Sequence, residues 1–443
     1  ILYSTLFALY NFSSLGINHS AVRNISQTHE TGDLTKLSIL LKIFKRLVLT
    51  TGILGLAICM IGSRWLSTFS FGNTEYVWSF VILSGAVLFM SLANGEIAIF
   101  KGTRNLRLLA QSSVVSPRAS LAVSSPLFYF LKLDGFAVYI FAVYFIMFLV
   151  FTRSEKKILT KQVPKLSFTE AKEESKSMIT LGVALMTGST MISLFTYITN
   201  IYIGRIGSIQ DVGLFQGAAS ITIQSILVIG TILASDFYPR LSSVCNENEK
   251  VNKMVNLQLE IITLVIAPIV VLLMLFTPLI VRLLLSSEFA LIVPMVQWMS
   301  FSLLFRGIWQ TMSYIILAKG DKKAYFIYDA LLGNGLNFGL NLLAYTFGGL
   351  TGLSISFVAG SIIVSIILFF VVRKRHQLKI TRDYLKTLGI VFVLEIVAFI
   401  NANIPAHHYK ILFSMIILII TIFYAGTVLL KRLGLLSSLK YRQ

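Results

Sequence analysis

Residues 295–320 read MVQWMSFSLLFRGIWQTMSYIILAKG, and this stretch decides the fold class of the chain. It is a continuous apolar run of the kind that crosses about 30 Å of hydrocarbon as a helix of roughly 20 residues. Arg306 lies near its middle, and the pair Lys319-Gly320 closes it. The stretch therefore predicts a membrane-spanning helix that carries a cation at depth.

The closing Lys-Gly pair occurs twice in the chain. Lys101-Gly102 ends an earlier apolar run, EIAIFKG, much as Lys319-Gly320 ends YIILAKG. Arg23 lies 78 residues before the first lysine, and Arg240 lies 79 residues before the second. A duplicated membrane unit is typical of a transporter built from two repeats.

Apolar residues dominate the composition. Hydrophobic residues make up 56% of the 443 positions and charged residues only 13%, whereas a soluble domain carries about 25% charged residues. The apolar runs are continuous and not alternating, which excludes a β-barrel. The net charge of +19 is assigned to loop Lys and Arg that set topology, and not to nucleic-acid binding. The sequence therefore predicts an all-α polytopic membrane protein.

Thirteen membrane spans are predicted, and the loops between them separate by charge. Every second loop is basic, and these loops hold 31 of the 38 Lys and Arg residues. The positive-inside rule places them, and with them the C-terminus, in the cytoplasm. The spans lie near 1–20, 47–66, 77–99, 107–131, 135–152, 177–203, 209–238, 255–285, 290–318, 324–346, 350–372, 384–401 and 410–430.

The repeats divide the chain into four predicted parts. One span precedes Arg23 whereas two precede Arg240, so the first helix of the N-terminal repeat is expected to be missing. Six spans per repeat would leave both halves in the same orientation, which makes the repeats parallel. The parts are an N-terminal helical lobe lacking its first helix, a cytoplasmic connector, a C-terminal lobe, and an appended helix pair with a basic tail, at 1–152, 153–176, 177–372 and 373–443.

Motifs for catalysis, nucleotide binding or metal binding are absent from the sequence. There is no phosphate-binding loop, no Cys/His metal spacing and no serine-hydrolase elbow, and His407-His408 are interpreted as loop residues. We expect no cofactor and no metal. The chain is predicted to be a transporter and not an enzyme. Transport is expected to be driven by an ion gradient or to follow the concentration gradient of the substrate.

Cations inside the spans are the strongest site candidates. A central Arg or Lys costs about 2.5–3.5 kcal/mol on insertion scales, so it normally faces a cavity, a partner or water. Arg306 is the deepest. Arg118 lies mid-span among serines beside Pro117, on a small polar face suited to a water-filled lumen. Arg282 lies nearer the end of its span, where a long side chain could reach the interface.

These cations suit an anionic substrate group, because the planar fork of Arg binds two phosphate oxygens at once. Arg23, at the cytoplasmic end of a span, is either a contact for such a headgroup or a topology charge. Gln216 and Gln310 add amides, the former within a polar stripe at helical spacing. A phosphate or a uronate is the predicted group. The alternative for the buried arginines is a structural pair with an acid or a carbonyl.

Embedded acids are fewer than embedded cations. Glu96, Asp236 and Asp329 lie toward the cytoplasmic ends of their spans and are candidates for proton or sodium coupling. Pairing with a nearby Lys or Arg is the alternative for each of them. Glu395 is central but lies in the appended pair.

Several stretches that follow one another in a fixed order carry a family resemblance. The chain resembles the Wzx-type O-antigen and enterobacterial-common-antigen translocases, which are polysaccharide flippases of the MATE-like MOP superfamily. Within this resemblance Arg306 and Arg23 fall where the family carries basic residues, whereas Arg118 has no motif match. The matching stretches are SLGINHSAVRNISQ, FGNTEY, IAIFKGTRN, VGLFQGAASI, FYPRLSSV, LLLSSEFALIVPMVQW and FRGIWQTMSYIILAKG.

The resemblance implies a two-lobed helical flippase in the bacterial inner membrane. It would move undecaprenyl-pyrophosphate-linked oligosaccharide repeat units from the cytoplasmic to the periplasmic leaflet by alternating access, for lipopolysaccharide or other surface polysaccharide biosynthesis. Expected partners are that lipid-linked glycan, membrane lipids, a polysaccharide polymerase and a chain-length regulator, but no nucleic acid.

Three alternative functions stay open. A lipid II flippase would share the fold and the lipid anchor. A multidrug exporter of the same superfamily would need acids in its lobes to bind organic cations, which the Arg-rich interior disfavours. A membrane polysaccharide polymerase would need long external loops with catalytic residues, and the external loops of this chain are short.

Overall fold

The described part of the chain is helical. The computed structural model describes residues 1–30, 32–155, 179, 182, 190–232, 237–405 and 409–440, and these ranges contain no β-strand. Contacts between Cα atoms divide the chain into two units, Ile1–Ile201 and Tyr202–Gln443. The all-α fold class is therefore confirmed.

Among the residues that the structure describes, seven helices and the start of an eighth form the first unit. Its core lies where α5 packs between α3 and α7, around Phe80, Leu83, Val87 and Met90. The helices are α1 Leu2–Ser14, α2 Ile17–Glu30, α3 Leu34–Ile61, α4 Ser63–Phe71, α5 Val77–Gly102, α6 Leu106–Leu131, α7 Phe136–Glu155 and α8 190–206, with a 3-10 turn at Lys132–Gly135.

The second unit begins within α8. Its core lies where α12 packs against α11 and α14, and α11 also packs against α15 and α16. The remaining helices are α9 Ile209–Ile232, α10 Tyr238–Ser243, α11 Asn248–Leu284, α12 Val293–Ala318, α13 Lys322–Ala324, α14 Asn334–His376, α15 Arg382–Asn403 and α16 Lys410–Lys440, with a 3-10 turn at Ser287–Ile292 and a π-helical segment at Tyr325–Gly333.

Eight helices in the described ranges are long and apolar enough to cross a membrane. The predicted spans 324–346 and 350–372 fall in one continuous segment, which is broken only where Gly349 takes φ 54° and ψ −142°. The predicted number of thirteen spans stays a prediction. The connector 153–176 begins inside α7 and otherwise lies outside the described residues, so the predicted part boundaries stay predictions as well.

The predicted span 1–20 is wrong as a single helix. Leu15 and Gly16 both adopt positive φ, at 49° and 62°, and this left-handed pair ends α1 before α2 begins. The hydropathy of Leu15 gives no sign of the break, because an apolar side chain is equally expected inside a spanning helix. A left-handed leucine is uncommon in any sequence pattern.

Three asparagines of α11 hold the turn between α14 and α15. Asn256 Nδ2 donates to the Lys379 carbonyl at 2.7 Å, and its Oδ1 accepts from the Thr381 backbone N–H at 2.8 Å. Asn252 Oδ1 accepts from the Lys379 N–H at 2.8 Å. Asn248 Nδ2 reaches the side chain of Gln377 at 3.2 Å. We call these three residues the asparagine ladder, since spacing by four aligns them on one helix face.

An ionic cluster joins the two last helices to α11. Arg432 of α16 contacts Glu260 at 2.9 Å and Asp383 at 3.1 Å. Glu260 also accepts from the Thr387 hydroxyl at 3.0 Å. The Glu260 side chain is only 6% exposed, so Arg432 supplies the compensation that a buried carboxylate requires. The pair α15–α16, which the sequence predicts as an appendage outside the repeat, is thus connected to α11 by ionic contacts and a hydrogen bond.

The two Lys-Gly landmarks have different structural roles. Lys319 donates to the Cys245 carbonyl and to Asn248 Oδ1, the latter at 2.6 Å, and Gly320 ends its helix at φ 73°. Lys101 is exposed, and Gly102 remains helical, where an added Cβ would lie 2.7 Å from Ile25. The sequence pattern around the two pairs does not distinguish these roles, because both pairs close an apolar run.

Asp321 connects the segment between α12 and α13 to the end of α14. Its carboxylate contacts the Arg375 guanidinium at 2.7 Å and caps the Ala324 backbone N–H at 3.1 Å. Burial alone would raise the pKa of Asp321. The Ala324 N–H and the Arg375 charge outweigh burial and hold that pKa below its ordinary value.

Candidate functional site

Arg306 lies in α12 where that helix packs against α14. Its Nε donates to the Ser361 hydroxyl at 3.4 Å, and its guanidinium carbon lies 5.1 Å from the centre of the Phe357 ring. Within the described ranges no carboxylate forms a salt bridge with Arg306. On the α11 side the next residue is Gly307, where an added Cβ would lie 2.5 Å from Ile266. The helices are thus closely packed at this depth.

The Arg306 guanidinium has more hydrogen-bond donors than its contacts among the described residues use. It carries five N–H donors, of which one serves Ser361. The Phe357 ring offsets part of the charge through a cation–π contact but accepts no conventional hydrogen bond. A half-buried cation with unused planar donors suits two oxygens of one phosphate. The alternative prediction is a structural pair with an acid or a carbonyl. Among the described residues the partners of Arg306 are instead the Ser361 hydroxyl and the Phe357 ring.

Asp329 lies in the π-helical segment, one of the irregularities that recur at functional sites. It accepts from Trp309 Nε1 at 2.5 Å and from the Ser313 hydroxyl. Both partners belong to α12 and follow Arg306 by three and seven residues, which places all three on one helix face. Among the described residues Asp329 forms no ion pair, so the alternative of cation pairing is not met there.

Glu96 and Glu395 are placed differently from Asp329. Glu96 forms an ion pair with Lys45, with 3.6 Å between Nζ and Oε1, so the pairing alternative holds for this residue. Glu395 is fully buried, and neither carboxyl oxygen has a hydrogen-bond partner among the described residues. Asp236 lies outside the described residues, and its predicted coupling role stays a prediction.

Arg118 is exposed on α6 in the first unit. The serines near it line the α6–α7 contact: Ser120 donates to the Val143 carbonyl at 3.5 Å, and Ser112 donates to the Ser154 hydroxyl at 2.9 Å. The small polar face therefore packs two helices together, and Arg118, two residues from Ser120, points away from that contact. Its predicted role in substrate binding stays a prediction.

The other predicted site residues lie apart. Arg282 is exposed in the last turn of α11, as expected for a side chain that reaches an interface. Gln216 is exposed on α9. Gln310 is half-buried on α12, one turn after Arg306. The side chain of Arg23 lies outside the described part. Within the second unit the structure therefore brings together Arg306, Gln310 and the partners of Asp329.

The predicted loop between spans 209–238 and 255–285 does not reveal the asparagine ladder. Asn248 and Asn252 fall in that loop and Asn256 in the following span, although the three residues recur every fourth position. That spacing was the available signal, since it predicts one polar stripe along a helix. The partners of the stripe lie more than 120 residues away, where local patterns carry no information.

Comparison with known proteins gives one family. A family model described as polysaccharide biosynthesis protein matches residues 3–294. No curated protein matches the chain.

Several solved structures are similar in fold. A multidrug resistance MATE family transporter of the MOP superfamily in an inward-facing conformation has a TM-score of 0.71 at 15% identity, covering 85% of this chain and 89% of that chain. The lipid II flippase MurJ in an inward closed conformation has a TM-score of 0.64 at 16% identity, covering 98% of this chain and 96% of that chain. A eukaryotic MATE transporter has a TM-score of 0.60 at 15% identity, covering 88% and 89%.

Proposed function

The chain belongs to the polysaccharide biosynthesis protein family, and from that premise we propose that it is a flippase for lipid-linked oligosaccharides. Its substrate is an undecaprenyl-pyrophosphate-linked repeat unit of O-antigen or a similar polysaccharide. The direction is from the cytoplasmic to the periplasmic leaflet of the bacterial inner membrane. The MATE-like helical fold supports a transporter.

Arg306 carries the proposal. The family concerns polysaccharides, and a lipid-linked precursor presents its pyrophosphate as the strongest anion in the molecule. A guanidinium inside an apolar helix, without a carboxylate partner in the described ranges, is the natural complement of that anion. Gln310, one turn away, adds a neutral amide donor for sugar or phosphate oxygens.

Asp329 supports ion coupling in the same unit. Its carboxylate lies on the α12 face that also carries Arg306 and is held by Trp309 and Ser313. Binding or release of a proton or a sodium ion would change the hydrogen bonds along that face and so reach Arg306. Proton and sodium coupling are distinguished by whether a sodium gradient alone sustains transport.

Substitution of Arg306 tests the proposal. In a strain that lacks this protein, Arg306→Ala should fail to restore surface polysaccharide, and Arg306→Lys should restore it only in part, because Lys keeps the charge but loses the planar fork. Arg64→Ala is the matched control, since it removes an exposed arginine of α4 that is not a candidate site residue, and it should restore polysaccharide fully. Membrane abundance of each variant is measured alongside. Full restoration by Arg306→Ala at normal abundance would overturn the proposal.

A lipid II flippase is the second candidate. One observation favours it: the similarity to the lipid II flippase MurJ extends over 98% of this chain, against 85% for the inward-facing MATE transporter. Both candidates share the pyrophosphate anchor and hence the role of Arg306. Complementation separates them, because rescue of cells depleted of their own lipid II flippase would assign lipid II, whereas rescue of surface polysaccharide alone would assign the oligosaccharide.

A further inference from the structure

A groove lies on the second unit between α12, α14 and α15, and Arg306 is not among its lining residues. It encloses about 530 Å³, a volume ordinary for a small-molecule site. Its floor is apolar and includes Phe305, Ile366, Phe369 and Leu388. The groove therefore offers a membrane-facing channel that suits a hydrocarbon chain.

Two cations form one rim of this groove, Arg373 from the last turn of α14 and Lys379 from the turn before α15. Both residues are exposed, and no Asp or Glu lines the groove. The nearest acid in sequence, Asp383, contacts Arg432 instead. In the described ranges neither rim cation forms a salt bridge, so the rim presents a net positive charge.

The asparagine ladder fixes the position of the rim. Asn252 and Asn256 bind the backbone N–H and carbonyl of Lys379 at 2.8 and 2.7 Å. The lysine backbone is thereby held against α11, while its side chain remains exposed at the groove. A rim cation on a fixed backbone loses less conformational freedom on binding an anion than one on a mobile loop.

The cationic rim of the groove suits the headgroup of an anionic lipid, and the apolar floor suits its acyl chain. The cations lie at the basic helix ends, where an interface with water is expected, and the apolar floor runs from them along the helices toward Phe305. Basic pockets between helices at such an interface bind anionic lipid headgroups. Charge complementarity thus points to an amphiphile whose phosphate lies at the rim and whose chain lies on the floor.

We propose that this groove binds an anionic phospholipid from the leaflet at the basic end of the unit, with its phosphate between Arg373 and Lys379. The lipid is a resident of the fold and not the transported molecule, because Arg306 does not line the groove. Its acyl chain fills the space between α12 and α14–α15. The site is thus separate from the proposed function and does not depend on it.

Lipid retention tests the site. The full-length protein is purified in detergent, supplied with phosphatidylglycerol or phosphatidylethanolamine, and examined by native mass spectrometry. Wild type should retain phosphatidylglycerol in preference to phosphatidylethanolamine. The double variant Arg373→Ala/Lys379→Ala should lose on the order of 30-fold in affinity, since each basic residue near a membrane surface contributes about a factor of five. Raising the salt concentration should weaken binding in wild type only.

Two matched controls complete the experiment. Lys374→Ala/Lys386→Ala removes two exposed cations outside the groove lining, one from α14 and one from α15, and should leave retention unchanged. Ile366→Trp fills the floor and should reduce retention, whereas Ile363→Trp, exposed on the same helix but outside the lining, should not. Equal retention by the rim variant and wild type would overturn the proposal. Displacement of phosphatidylglycerol by equimolar undecaprenyl phosphate would also overturn it, in favour of a substrate-lipid site.

Discussion

Replacing Asn256 by Ala removes the last member of the asparagine ladder, the one with two bonds to the turn before α15. The residue is 6% exposed and makes two bonds between elements, to the Lys379 carbonyl and from the Thr381 N–H. Its third bond, to the Asn252 carbonyl, lies within α11. At about 1 kcal/mol net for each bond between elements, the variant should lose about 2 kcal/mol of stability. Water can reach the exposed turn, so no further desolvation penalty is added.

Thermal unfolding of the purified protein measures this loss. A change of about 2 kcal/mol corresponds to a drop of roughly 4–8 °C in Tm for a unit of this size. Asn256→Asp keeps the acceptor for Thr381 and loses the donor to Lys379, so it should fall between wild type and Asn256→Ala. Asn403→Ala is the control, because that amide is exposed and its hydrogen bond within the described ranges goes to the Phe399 carbonyl of its own helix. A drop no larger for Asn256→Ala than for Asn403→Ala would refute the assigned role of the ladder.

Three further predictions concern the same unit and its repeat counterpart. Arg432→Leu should lower stability by about 3 kcal/mol because Glu260 is left buried with Thr387 as its one remaining partner among the described residues. Glu260→Leu/Arg432→Leu should recover most of the loss of Tm, and no recovery would contradict the ion-pair explanation. The pKa of Asp321 is lower in the folded protein than in the unfolded chain, so its contribution to stability is present above the unfolded pKa near 3.9 and is lost as pH falls through the folded pKa. Asp321→Asn should therefore flatten the decline of Tm below about pH 4. An unchanged decline would contradict this assignment. Gly320→Asn should be tolerated because Asn accepts left-handed φ, whereas Gly102→Asn should lower Tm because its Cβ meets Ile25 at 2.7 Å; equal tolerance at both positions would contradict the different roles of the two glycines.

The sequence alone predicted those features that depend on the residues of a single helix, namely the fold class and the position of Arg306 within its span. Continuous apolar runs determined the fold class, and the position of Arg306 within its run determined its depth. The serines of α6 mark the limit of this reasoning, because a small polar face serves equally as a lumen wall or as a packing seam. Only the partner decides, and here the partners are Val143 and Ser154 on α7.

Other features depend on distant or conformational information. The bonds of Asn256 join residues more than 120 positions apart, and no periodicity within either segment specifies such a pair. The break at Leu15 is a backbone state that an apolar side chain does not reveal. Asp329 is predicted toward the end of its span, and its contacts with Trp309 and Ser313 depend on the π-helical register of its segment.

The unequal roles of Lys101 and Lys319 bear on how far a mutation in one half of the chain can stand for a mutation in the other. A charge that serves only to set membrane orientation can occupy many positions, so its exact position tolerates change. Lys319 also forms hydrogen bonds with Cys245 and Asn248, so its loss carries a structural cost as well, whereas Lys101 is exposed. Mutational tolerance measured at one Lys-Gly pair is therefore no guide to the other, although both pairs close similar apolar runs.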